Sequence, residues 1–309
     1  MLEIFQNTLV APVSFEGVGL HSGLSSKITI LPSGEDEGIV FKRIDLNQNN
    51  LVSANFHNVS SAKLCTTLEN EYGVRVSTVE HLLAALYISE IDNAVIEINN
   101  EEVPIMDGSA KDFLDILSRA EIKQENKKRK FLKVINKVEL IDGERKISIE
   151  PIDSSLEVEF QLNYENEIIG SQKNCINFQN DSLEDVSKSR TFCLFEDIEK
   201  IKKAGLAKGG SLENAIVVDK NKILNEGGLR NKKEFVNHKI LDLAGDFLLS
   251  GYRIIGKVKC LQGGHELTNM FLRKLLKSKS AISIRNFNDN TIISKKDRLN
   301  QPLKIAVNA

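Results

Sequence analysis

The sequence predicts an α+β protein made of two domains of similar build. Three observations carry this reading. The chain has 309 residues, about twice the roughly 150 of a typical domain. Both halves alternate short β-branched runs with apolar segments of helical period. Between the halves lies Lys123-Gln124-Glu125-Asn126-Lys127-Lys128-Arg129-Lys130, a charge run that reads as a solvated linker. The expected boundaries are therefore 1–122 for the first domain, 123–130 for the linker and 131–309 for the second domain.

The elements follow in order. Ile28-Thr29-Ile30-Leu31 and Ala94-Val95-Ile96-Glu97-Ile98 read as strands, being β-branched and bounded by turn residues. Val79 to Leu86 and Ala110 to Leu117 read as helices from their apolar spacing. In the second half, Phe131 to Leu140, Lys146 to Glu150 and Leu156 to Leu162 read as strands. Asp142-Gly143 between the first two signals a hairpin. A helix is expected over Leu194 to Lys203, and a long apolar one over Glu234 to Ser250.

Composition excludes several function classes. Lys plus Arg number 41 and Asp plus Glu 43, a net charge of −2. That balance argues against a nucleic-acid binder, which needs excess cations to displace counterions. No run approaches the ~18 apolar residues of a membrane span. The N-terminal residues Met1-Leu2-Glu3-Ile4-Phe5-Gln6 lack a basic segment followed by an apolar one, so no secretory signal is visible. The four cysteines (Cys65, Cys175, Cys193 and Cys260) form no C-x-x-C pair and read as reduced thiols of a cytoplasmic protein. No phosphate-binding P-loop appears, and Gly17-Val18-Gly19 lacks the third glycine of a dinucleotide fingerprint.

Chemistry that needs imidazole must draw on five histidines: His21, His57, His81, His238 and His265. On the long helix, at about 100° per residue, Asp242 lies about 40° and Asp246 about 80° from His238, a narrow stripe. The remaining faces carry Ile240, Leu241, Leu243, Ala244, Phe247, Leu248 and Leu249, so the helix is buried. Ionisable groups on a buried helix must be paired or bind metal. Both a buried His–Asp hydrogen bond and a metal site satisfy this. In Ser77-Thr78-Val79-Glu80-His81, Glu80 either completes a capping box with Ser77 or serves as a base beside a ligand, His81. This is not H-E-x-x-H, since Glu80 precedes its histidine. Gln262-Gly263-Gly264-His265 is either a surface turn or a place where a substrate approaches the backbone closely. Gly17-Val18-Gly19-Leu20-His21-Ser22-Gly23 reads as a Gly-rich turn. His57 reads as a surface residue. Two histidines and one aspartate around a metal, with water in the fourth place, would form a catalytic zinc site.

Taken in order, these segments resemble the UDP-3-O-acyl-N-acetylglucosamine deacetylases, zinc amidases of lipid A biosynthesis in Gram-negative bacteria. The resemblance runs the length of the chain. Besides the segments around His21, His81 and His265 it rests on Val103-Pro104-Ile105-Met106-Asp107-Gly108-Ser109, Ser189-Arg190-Thr191-Phe192 and Gly209-Gly210-Ser211. It continues with Leu224-Asn225-Glu226-Gly227-Gly228-Leu229-Arg230 and His238-Lys239-x-x-Asp242-x-x-x-Asp246. It implies two α/β sandwich domains, each a helical layer on a sheet, with the site in the cleft between them. One insert is implied near 40–65, and another near 190–230 shaping an acyl-chain passage. By position, the implied zinc ligands are His81, His238 and Asp242, with Glu80 as the base. His265 would be oxyanion stabiliser and acid, Asp246 its partner, and Thr191 an oxyanion donor. Phe192 and Lys239 would contact sugar and phosphates, Arg145 the diphosphate, and Leu20 and Leu212 the acyl chain. The implied substrate is a UDP-linked acylated amino sugar, and the implied enzyme a cytoplasmic monomer without nucleic-acid or membrane-spanning partners. Two other readings remain: the same chemistry on another N-acetyl sugar, and a UDP-sugar binder with a structural zinc. Two histidines and a carboxylate also accept Fe(II).

Overall fold

Two large sheets organise the chain in the computed structural model, which describes residues 3–153 and 155–286. Residues 287–309, the tail of the expected second domain, lie outside the described residues. The first sheet has the spatial order Val13–Val18, Ser25–Pro32, Ala94–Ile98, Ile39–Arg43, Leu51–Ser53. Side chains alternate faces along a strand, and here the inward set is Ile28, Ile30, Phe41, Val52, Ile96 and Ile98, all buried. The second sheet runs Val138–Asp142, Arg145–Glu150, Arg253–Leu261, Phe131–Val134, Ile282–Arg285. Leu156–Asn163 also pairs with Arg253–Leu261, in parallel, and with Ser171–Asn177, antiparallel. The mixed sheets and helices are those of the predicted α+β class.

Six α-helices and a short 3-10 turn at Phe56–Asn58 complete the described fold: α1 (Glu80–Ile88), α2 (Lys111–Leu117), α3 (Glu184–Ser187), α4 (Phe195–Lys203), α5 (Glu234–Leu248) and α6 (His265–Lys277). The expected hairpin forms, with Asp142 opposite Arg145 and Gly143 at a φ of 59°. That left-handed conformation suits glycine. All four cysteines are free thiols.

Several boundaries differ from the sequence expectation. The charge run is not merely solvated coil. Ile122–Lys128 forms a strand antiparallel to Phe5–Leu9. Ladder hydrogen bonds are made by backbone groups, so charged side chains can stay exposed while the backbone pairs. Phe131 to Leu140 is two strands rather than one, because the chain leaves the ladder after Val134, and Ile135 donates to the Ala281 carbonyl. The segment near 40–65 does not stand apart as a unit, since Ile39–Arg43 lies inside the first sheet. A separate small sheet is instead made by Val59–Ser61, Thr67–Glu69 and Arg75–Val76. A second small sheet, Phe192–Leu194, Ile216–Asp219 and Lys222–Ile223, falls within 190–230.

The two halves meet where α1 packs on α5. Glu80 through Tyr87 are all buried, as are all of Glu234 through Leu248 except Lys239. Gly245 allows the crossing. A Cβ there would overlap the Glu80 carbonyl oxygen and crowd the Ala84 nitrogen. The far end of α1 is fastened by Arg253, whose Nη1 donates to the Tyr87 carbonyl (2.7 Å) and Nη2 to the Ile91 carbonyl (3.2 Å). A cation on terminal helix carbonyls satisfies acceptors that the helix itself leaves open.

Gly245→Ala is expected to destabilise the protein by about 1–3 kcal/mol, the range for forced overpacking. Urea unfolding checks this. A gain in stability, the usual outcome of Gly→Ala in an unobstructed helix, would contradict the close crossing.

Candidate active site

The helix pair brings together side chains that are far apart in sequence. Glu80 and His81 stand on the first turn of α1, with Val79 as the N-terminal boundary and no side-chain cap. The capping-box alternative for Glu80 is therefore not realised. Thr78 has a φ of 57°, and Glu80 Oε2 instead accepts from the Thr66 N–H at 3.0 Å. His238, Asp242 and Asp246 project from one stripe of α5, as their spacing requires. His265 is the first residue of α6.

His81, His238 and Asp242 offer one ligand atom each, all within 4.8 Å of one another. Nε2 of each histidine lies 3.4 Å from Asp242 Oδ1. The His238 ring is held at Nδ1 by the Ser189 carbonyl at 3.3 Å. That contact places the proton on Nδ1 and leaves the Nε2 lone pair facing the cluster. Burial pushes the His238 pKa down to about 3, so its imidazole is neutral. Burial alone would raise the Asp242 carboxyl. The surrounding His238, Lys239 and His265 outweigh it and hold Asp242 well below the usual carboxylate range. Asp242 Oδ1 is nevertheless buried without a hydrogen-bond partner. Such an atom costs about 1–3 kcal/mol if left unsatisfied. Two imidazole nitrogens and an ionised, unpartnered carboxylate oxygen match the donor set of a divalent metal. The second alternative, a simple His–Asp hydrogen bond on α5, is not formed, because that oxygen has no hydrogen-bond partner.

Glu80 and His265 flank the cluster. Burial pushes the Glu80 carboxyl up, against the opposing pull of His265 and His81. Burial also disfavours charge on His265, but Asp246, Glu80 and Asp242 outweigh it and raise its pKa to about 10. Asp246 Oδ2 sits 2.8 Å from His265 Nδ1, and Glu80 Oε1 3.7 Å from Nε2. The arrangement sets a carboxyl of raised proton affinity beside a retained imidazolium, the pairing that acid–base chemistry needs.

The remaining expected residues lie at different distances from this centre. Lys239 Nζ pairs with Asp242 Oδ2 at 2.9 Å and stands 5.6 Å from the Phe192 ring centre. Phe192 also meets the His238 ring edge at 6.2 Å. Thr191 is fixed through its backbone, donating to the Gly108 carbonyl and accepting from Ile216 N–H, both at 2.8 Å. Leu20 and Leu212 lie on two loops that dock together. The Gly209 N–H donates to the Leu20 carbonyl (3.0 Å) and Lys208 N–H to that of His21 (3.2 Å). Leu20 is half-buried and Leu212 exposed. Arg145 is not a free cation, being paired with Asp142 and, at 3.4 Å, with Glu266. It lines a cavity of about 640 Å³ with Tyr164, Leu194, Gln262 and Gly263. His57 is exposed, as expected. Both His21 ring nitrogens are buried without partners.

Sequence reasoning missed several supporting residues. Glu102 accepts from the backbone of His21 (2.8 Å) and Ser22 (2.7 Å) and from Thr78 Oγ1 (2.9 Å), tying the Gly-rich loop to the approach to α1. Tyr164 reaches Phe192 edge-on at 5.9 Å, linking the cavity to the His–His–Asp cluster through the contact of Phe192 with His238. Glu234 accepts from Arg190 Nε at 2.8 Å and from the Arg190 and Arg230 backbone N–H groups. It thereby anchors the segment whose Ser189 carbonyl orients His238. The Glu234 signal was present, a carboxylate on an otherwise apolar helix. Tyr164 and Glu102 carried none.

A protein-family model described as UDP-3-O-acyl N-acetylglycosamine deacetylase matches residues 6–277. The chain belongs to this family. The family is one of metalloenzymes, consistent with the His–His–Asp cluster. Among curated proteins, the UDP-3-O-acyl-N-acetylglucosamine deacetylase of Saccharophagus degradans is 42% identical over 94% of this chain and 96% of its own length. The protein of that name from Pasteurella multocida is 41% identical with the same coverage, and that from Haemophilus ducreyi 38% over 93% and 94%.

Arg190→Met should destabilise the fold by about 3–5 kcal/mol, because it strands the fully buried Glu234 carboxylate. Denaturant titration reads this. A loss under about 0.5 kcal/mol, the size of a surface change, would mean the pair does not anchor the Ser189 segment.

Proposed function

We propose that the chain hydrolyses the N-acetyl amide of UDP-3-O-acyl-N-acetylglucosamine, giving UDP-3-O-acyl-glucosamine and acetate for lipid A, with zinc held by His81, His238 and Asp242. The observation that carries this reading is the convergence of two histidine Nε2 atoms on one unpartnered carboxylate oxygen, with Glu80 and His265 at its side. Zinc, when bound, supplies Lewis acidity toward the amide carbonyl and makes water more acidic.

The chain's own residues do the rest. Glu80, whose proton affinity is raised by burial, takes the proton from the attacking water. His265 enters the reaction charged. Its Nε2 faces the cluster, so it stabilises negative charge as it develops on the amide oxygen. It then gives its proton to the departing amine, which would otherwise leave as an unstable anion. Asp246 Oδ2 accepts from Nδ1 and holds the ring in place. Thr191 is the second oxyanion donor.

Substrate contacts extend outward from the centre. Phe192 covers a sugar face, and Lys239 lies beside it near the sugar–phosphate end. The run Phe192, Tyr164 and then the cavity with Arg145 gives the diphosphate and nucleotide a path away from the metal. Arg145 would share its guanidinium between its present carboxylates and a phosphate oxygen. Leu20 and Leu212, on the docked loops, line the way for the acyl chain. The near-neutral charge suits a small-molecule substrate rather than nucleic acid. Among the described residues no helix is long and apolar enough to cross a membrane.

Two variants test the reading. His265→Ala should keep its metal and lose turnover about 10²–10⁴-fold, the usual worth of a general acid, in an assay of acetate release. Wild-type rates would remove His265 from the chemistry. His238→Ala should lose the metal, read by elemental analysis of purified protein. Near-stoichiometric zinc in that variant would overturn the ligand assignment.

A further inference from the structure

Thr66 touches both carboxylates on which the proposed proton chemistry depends, and no motif of the chain points to it. The residue lies immediately before strand Thr67–Glu69 and is 2% exposed. Its N–H donates to Glu80 Oε2 at 3.0 Å, and its Oγ1 donates to Asp246 Oδ1 at 2.7 Å. Its carbonyl accepts from the Val79 N–H at 3.4 Å, at the start of α1. The two oxygens that Thr66 does not hold face one imidazole from opposite sides. Asp246 Oδ2 is 2.8 Å from His265 Nδ1, and Glu80 Oε1 is 3.7 Å from His265 Nε2.

We propose that Thr66 is a positioning residue for the deacetylation: its N–H aims Glu80, and its hydroxyl aims Asp246, at opposite nitrogens of His265. This rests on the roles given above to Glu80, Asp246 and His265. An ionised carboxylate only accepts hydrogen bonds and has about four lone-pair sites, so it can meet a donor in several orientations. A second donor on the other oxygen removes that freedom, and a charge-assisted bond does so firmly. With Oδ1 held by the hydroxyl, Oδ2 is kept on Nδ1, and Nε2 is directed toward Glu80 and Asp242. Glu80 belongs to α1 and Asp246 to α5. Thr66 belongs to neither helix, and so it sets base and acid relative to each other across the junction. A displacement of about 1 Å between reacting groups can cost 10²-fold in rate.

Thr66→Val keeps the shape and the backbone N–H and removes only the hydroxyl. Thr66→Ser keeps the hydroxyl. In the zinc-loaded enzyme acting on UDP-3-O-acyl-N-acetylglucosamine, Thr66→Val should lower kcat about 10- to 100-fold with KM and metal content unchanged. Thr66→Ser should stay within about threefold of wild type. Adding Thr66→Val to Asp246→Ala should cost less than about twofold more, because the group to be aimed is gone. Wild-type turnover in Thr66→Val overturns the proposal. So does an equal loss in the Val and Ser variants, or losses that multiply in the double variant, since either outcome describes packing. A wild-type rate in Asp246→Ala alone would instead remove the Asp246–His265 reading beneath it.

Discussion

The close crossing of α1 and α5 is the constraint on which the rest depends. Gly245 lets one helix settle onto the Glu80 carbonyl of the other, and the first turn of α1 then faces the polar stripe of α5. Neither helix holds a complete donor set. α1 supplies one histidine and the candidate base. α5 supplies the other histidine and both aspartates. Arg253 at the far end of α1 and the Glu234–Arg190 pair at the start of α5 hold the pair from opposite ends. Side-chain contacts at the centre therefore rest on backbone that cannot drift.

That junction concentrates charge where water is excluded. Glu80, Asp242, Asp246 and Glu234 are each at most 4% exposed. An uncompensated buried ion costs several kcal/mol, so each must find a partner. Glu234 has Arg190, Asp246 has His265 and Thr66, and Glu80 has the Thr66 N–H. Asp242 has Lys239 on one oxygen and nothing on the other. Among these four carboxylates, this buried acceptor without a hydrogen-bond partner stands beside two imidazole nitrogens, a donor set that fits a divalent metal. The same low-dielectric setting raises the proton affinity of both Glu80, through burial, and His265, through the carboxylates around it, because burial and near charges act more strongly away from solvent.

Local features were legible from residue order. The Ala94–Ile98 strand, the Asp142-Gly143 hairpin and the apolar helix from Glu234 all appear where periodicity and turn chemistry put them. Readings failed where one local pattern served two purposes. Ser77-x-x-Glu80 has the form of a capping box, yet Thr78 adopts a left-handed conformation and Thr66, from a distant loop, claims the carboxylate. The lysine-rich run at 123–130 reads as coil from its side-chain charge, yet the backbone of Ile122–Lys128 pairs with Phe5–Leu9. The position of Arg145 points to a phosphate contact, and what only the folded chain adds is that Asp142 and Glu266 hold the same guanidinium.

The sequence by itself determined the stripe of His238, Asp242 and Asp246, because helical pitch places residues four apart on one face whatever surrounds them. It also determined that these groups would be buried, since the other faces of that helix are apolar. Only the tertiary structure decided that His81 and Glu80 stand opposite that stripe, that His265 comes between two carboxylates, and that Thr66 ties both of them down. Periodicity acts over a few residues and is written in their spacing. Convergence of distant segments depends on how whole helices and sheets fill one core. Here it turns on a missing side chain at Gly245, which no local pattern distinguishes from any other glycine.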